Sequence, residues 1–157
     1  MGSNGLQLPC YHLEGLSFSR LNLSGSNFAG AFLRGSKFVR TSLAKANFQE
    51  CDLQHSDFSF ANLQYANLIN ANLQNANFSN TCLDFASLRN ADLRNANLSN
   101  ATLASASISG AMLTGANITD LNIKSLYCTN CRKKVNPSKE VACENCKDKY
   151  DVVAYNL

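Results

Sequence analysis

The chain has 157 residues, 45% of them hydrophobic and only 16% charged, with two prolines and no tryptophan. Its formal charge of +3 divides between a nearly neutral stretch 1–125, with eight basic and seven acidic residues, and a segment 126–157 with six basic and four acidic ones. With neither part a strong polycation or polyanion, counterion-release binding to nucleic acid would be modest, and no apolar run is long enough to cross a bilayer as a helix.

At the start, Met1 to Gly15 carries no basic region followed by a long apolar stretch. A secretory leader is therefore not expected, and the location read from the sequence is cytoplasmic, or nuclear in a eukaryote.

From Leu8 to Ile123 every fifth position is Leu, Phe or Ile, at 24 positions without exception. Two residues before each lies a small one: from Ala31 to Ala116 it is Ala, Ser, Thr or Cys at all 18 positions, and Ala at 13. The residue between is usually Asn, Asp, Ser or Thr, as in Ala61-Asn62-Leu63 and Ala91-Asp92-Leu93. A period of five matches neither a helix, where the stripe would wind into water, nor a strand, where equivalent residues would alternate between faces. The chain must turn once per unit and stack as a coil, each layer hydrogen-bonded to the next at about 4.8 Å.

The large residues alternate early on, Phe18, Leu23, Phe28, Leu33, Phe38, Leu43, which doubles the period to ten. If like stacks on like, each coil holds an even number of units. Two units cannot enclose side chains, and six would leave an axial void that close packing disfavours. Four units remain. Phe18, Phe38, Phe58 and Phe78 then form one column, and Phe28 and Phe48 belong to the opposite one.

The A(D/N)Lxx unit resembles the pentapeptide-repeat family, whose members fold as right-handed quadrilateral β-helices. The resemblance implies an all-β solenoid over 13–125, with roughly 26 Å of rod between Leu13 and Ile123. Residues 1–12 are read as an N-terminal cap. Leu16, Leu21 and Leu121 replace the small residue near the two ends, where larger groups could cover the core. A stacked coil exposes unpaired backbone at its ends. Pairing of a terminus with a second copy is the alternative to capping, as the resemblance implies for some members.

Residues 126–157 contain Cys128-x-x-Cys131 and Cys143-x-x-Cys146, eleven residues apart. Two turns with two thiolates each suit tetrahedral Zn2+, and the spacing resembles a zinc ribbon. A closed site of four cysteines leaves no position for water, so the expected zinc is structural and supplies folding energy to a segment too short to bury much core. Arg132, Lys133 and Lys134 after the first pair are a candidate nucleic-acid contact, diluted by Glu140, Glu144, Asp148 and Asp151.

No catalytic constellation is expected. His12 and His55 are far apart at outward positions, Asp52, Asp57 and Asp92 fill the Asn/Asp slot that serves turn bonding, and Cys51 sits in the small inward slot. Aligning outward residues at twenty-residue intervals places Lys45, Tyr65 and Phe85 in one column and Arg20, Arg40 and Phe60 at the neighbouring corner. Phe32, Ile69 and Met112 are further outward apolar groups. Tyr, Phe and Arg favour interface hot spots, so Arg40, Lys45, Phe60, Tyr65 and Phe85 are the expected protein-binding face. Asn70/Asn90, Asn75/Asn95 and Asn80/Asn100 are expected to stack as amide ladders.

The resulting expectation is a non-enzymatic protein-binding scaffold or adaptor with a structural zinc module at its C-terminal end. One alternative is a nucleic-acid-binding adaptor acting through the zinc ribbon. The family resemblance implies another, a DNA mimic that inhibits or protects gyrase. Such mimicry needs a strongly negative rod, whereas this one carries Arg20, Arg34, Arg40, Arg89 and Arg94.

Overall fold

The computed structural model describes residues 5–121 and, further on, the backbone of three strands: β1 (Ser125–Cys128), β2 (Lys134–Val135) and β3 (Val152–Tyr155). In the first part each unit contributes one parallel bridge to the residue twenty positions later, from Gln7↔Asn27 through Asn97↔Asn117. The bonds alternate in direction. The Phe58 amide donates to Asn77 O (2.8 Å), and the Asn77 amide donates back to Ser56 O (2.9 Å). The coil is thus saturated between layers, as buried backbone requires.

The corners explain the period of five. The amide of the small residue donates to the carbonyl of the large residue three positions earlier, as Ala31 to Phe28 O (2.8 Å) and Ala61 to Phe58 O (2.9 Å). The residue just before the small one is left-handed at every corner from Cys10 to Asp120. A positive φ at the third turn residue alone is the signature of a type II turn. Five residues per corner and twenty per layer make four sides.

Residues 6–12, expected to precede the coil as a cap, already follow this register: Gln7 pairs with Asn27 and His12 with Phe32. Beyond the repeats, β1, β2 and β3 form an antiparallel sheet in the order β2-β1-β3, with Leu126 opposite Val135 on one side and Ala154 on the other.

The core is the axis of the coil. Phe28, Phe38, Phe48, Phe58 and Phe78 are wholly buried. Rings one layer apart stack nearly parallel, with centroids 4.8 Å apart for Phe38–Phe58 and 5.0 Å for Phe28–Phe48. Rings across the axis meet edge to face, as Phe48 and Phe58 do at 5.7 Å. Both are preferred aromatic geometries. Leu63, Leu83 and Leu103 fill another column, also buried. Several small inward residues that are not alanine donate to carbonyls of the preceding layer, Thr41 to Phe18 O (2.9 Å), Thr81 to Phe58 O (2.7 Å) and Cys51 to Phe28 O (2.9 Å), whereas Ser56 donates to Leu53 O (2.6 Å) within its own layer.

The amide ladders run through the bridge position, not through the corners. Asn67 donates to Asn47, which donates to Asn27, each at 3.1 Å. A second ladder climbs from Asp57 through Asn77 and Asn97 to Asn117. The corner asparagines Asn70, Asn75, Asn80, Asn90, Asn95 and Asn100 serve instead as left-handed residues, a conformation asparagine tolerates.

Candidate interaction face

Ten left-handed corner residues between Cys10 and Asp120 are neither Gly, Asn nor Asp, namely Cys10, Arg20, Arg40, Lys45, Glu50, His55, Phe60, Tyr65, Phe85 and Ser105, and the three aromatic ones stand on two adjacent corners.

 A left-handed backbone costs an ordinary L-residue about 1–2 kcal/mol, and Gly or Asn occupies most of the other corners.

Arg20, Arg40 and Phe60 follow one another up one corner, and Lys45, Tyr65 and Phe85 up the next. The Arg40 guanidinium lies 5.1 Å from the centroid of the Phe60 ring, within cation–π range. Tyr65 and Phe85 stack with centroids 4.8 Å apart and planes 6° from parallel. Phe60, Tyr65 and Phe85 are 52%, 53% and 49% exposed, although they are held in register. Between the two corners lies one side of the coil, whose half-buried outward residues are Ser42, Ala44, Asn62, Gln64, Cys82 and Asp84. The five residues expected to form a binding face therefore do come together, as two rails along a small polar floor.

Charge is distributed unevenly around the coil. Arg20, Arg40 and Lys45 make no salt bridge among the described residues. On another side, Arg94 holds the Asp92 carboxylate at 2.6 Å and Gln74 donates to it at 2.9 Å. The Arg94 hydrogen bond keeps Asp92 below the usual carboxylate range. His12 stacks on Phe32 with centroids 4.5 Å apart and bonds Glu14 at 3.0 Å. The sequence placed His12 and Phe32 outward without pairing them, although their twenty-residue separation was the available signal.

The sequence pattern described as Pentapeptide repeat region matches residues 10–78, and that described as Pentapeptide repeats (8 copies) matches residues 81–120. The chain belongs to the pentapeptide-repeat family. Its fold is similar to that of the pentapeptide repeat protein Rfr23 from the cyanobacterium Cyanothece 51142, at 24% identity and a TM-score of 0.60 over 71% of this chain and 86% of that one. A pentapeptide repeat protein of the Arabidopsis thaliana thylakoid lumen matches at 34% identity and a TM-score of 0.43, over 66% of this chain and 69% of that one. QnrB1, a plasmid-mediated fluoroquinolone resistance protein, matches at 25% identity and a TM-score of 0.44, over 70% and 61%. No curated protein sequence matches the chain.

In this pentapeptide-repeat protein, no group of three or more His, Cys, Asp or Glu could hold a metal among the described residues. Of the expected zinc ligands, Cys131, Cys143 and Cys146 lie outside the described residues, and Cys128 closes β1. Arg132 and Lys133 also lie outside them, while Lys134 opens β2 opposite Tyr127. No helix among the described residues is long and apolar enough to cross a membrane.

Proposed function

We propose that this protein is a non-enzymatic scaffold that binds a protein partner on the side of the coil bordered by Arg40, Phe60, Lys45, Tyr65 and Phe85. The observation that carries this reading is the left-handed backbone beneath all five side chains. Strained positions persist where function requires the side chain, and Asn80 in the layer after Phe60 and Gly25 in the layer before Lys45 mark the comfortable choices. Exposed aromatic and Arg groups are the residue types that dominate interface energetics.

The test replaces Phe60, Tyr65 and Phe85 together by Asn. Relief of the backbone offsets the lost stacking, worth about 0.5–1.5 kcal/mol per aromatic pair, so the melting temperature stays near that of the wild type. Partner capture, measured by affinity purification and mass spectrometry, falls at least tenfold. Undiminished capture of the same partner by the folded variant would sink the proposal.

The same reading includes a structural zinc held by Cys128, Cys131, Cys143 and Cys146. Its support is the donor set, four thiolates in two closely spaced pairs, which matches the preference of zinc for sulfur. The antiparallel return of the chain from β1 to β2 brackets Cys131 in sequence. A nucleic-acid role for Arg132, Lys133 and Lys134 has no comparable support, and the near-neutral rod does not favour DNA mimicry.

A further inference from the structure

We propose that the ligand of the lateral binding face is an acidic peptide segment, an inference that rests on that face being the docking side. Its carboxylates meet Arg40 and Lys45, and its apolar side chains lie on Phe60, Tyr65 and Phe85. In one layer Arg40 and Lys45 stand at the two corners and flank Ser42 and Ala44. In the next layer, about 4.8 Å along the axis, Phe60 and Tyr65 flank Asn62 and Gln64. Arg20 extends the cations by one layer at one end, and Phe85 extends the aromatics by one layer at the other. Charge and apolar surface therefore follow each other in a fixed order along the strip.

Charge complementarity points to the occupant. Arg20, Arg40 and Lys45 meet no carboxylate among the described residues. Asn62 accepts the Gln64 amide on Oδ1 (3.0 Å), and its Nδ2 hydrogens have no partner among the described residues. The acids of the strip are Asp84, which accepts the Ala104 amide at 2.9 Å, and Asp120 at the far end of the Arg20 corner. Both lie past Phe60 and Tyr65, away from the cations. An acidic segment is thus oriented with its carboxylates toward Arg40 and Lys45 and its apolar residues toward Phe85.

The rings add to the same bias. Tyr65 and Phe85 stack on each other between layers, and Arg40 lies over Phe60. Those faces are taken, and the groups turned outward are ring edges, which carry partial positive charge. Single-stranded nucleic acid would use such rings by stacking bases on their faces, and three cations give little counterion release. Beyond Phe85 the corner carries Ser105, too short to cover the ring, which leaves room for one apolar side chain of a peptide. The backbone of the strip is spent: the Ser42, Asn62 and Cys82 amides donate to the preceding layer. A peptide cannot add to it as a further strand, so side chains decide recognition.

Selection of a displayed random-peptide library on the immobilised full chain tests the inference, followed by fluorescence anisotropy of a synthetic copy of the most enriched peptide. Enriched sequences should carry Asp or Glu a few residues from Phe, Tyr, Trp or Leu, and binding should weaken as salt rises. Arg40→Asn with Lys45→Asn installs the residue that the corners already use at Asn70 and Asn80. Its thermal melt should stay unchanged while its affinity for the peptide falls at least tenfold. Enriched peptides that need Phe60, Tyr65 and Phe85 but show no acidic excess, or that bind this double variant undiminished, would overturn the acidic assignment and leave the binding face standing. Failure to enrich any peptide sensitive to these five positions would remove both. Oligo(dT) bound more tightly than the peptide, and lost in the same variant, would transfer the face to nucleic acid and overturn the inference.

Discussion

At each corner a single residue absorbs the turn, and its identity records what that corner does. Gly110 shows the steric side: a Cβ there would collide with the Asn90 amide, and its φ is +67°. Inward, Cys51 shows the electrostatic side. Burial pushes its thiol from an ordinary value of 9.0 up to about 12, because the thiolate would lose its hydration. The unfolded chain releases this proton near pH 9, whereas the folded one retains it. The stability that Cys51 contributes is therefore present below pH 9 and is lost as pH rises toward 12, by about 1.4 kcal/mol per pH unit. Urea denaturation between pH 8 and 10.5, with Cys51→Ala as the reference, should show this slope in the wild type and a flatter one in the variant.

At the scale of the element, each layer is held by two perpendicular arrangements, stacking along the axis and edge contacts across it. Phe58 takes part in both, lying 4.8 Å from Phe38, 5.0 Å from Phe78 and 5.7 Å from Phe48. Phe58→Ala should cost about 3–5 kcal/mol, read as a lowered denaturation midpoint. The columns were legible in the sequence because inward residues stack only on residues one full layer away. The ladders were less legible: amides at Asn70 and Asn90 and at Asn47 and Asn67 have the same spacing, and only the backbone conformation separates corner from bridge.

For the whole molecule, the coil and the C-terminal segment call for different stabilisation. The coil closes its own core, whereas for the cysteine-containing segment a structural metal is the proposal. Metal analysis should find one zinc per chain in the wild type and less than half of that in Cys143→Ser, with the melting of the coil itself unchanged. A metal-free wild-type chain purified without chelator would remove the zinc from the account.

The turn per five residues, the four sides and the buried columns follow from residue order alone, because a strict apolar period leaves the backbone few ways to exclude water. Tertiary structure decided which corner side chains share one side of the coil and which amides bond to each other. Those outcomes depend on contacts between residues twenty positions apart and on φ at each corner, neither of which local composition fixes.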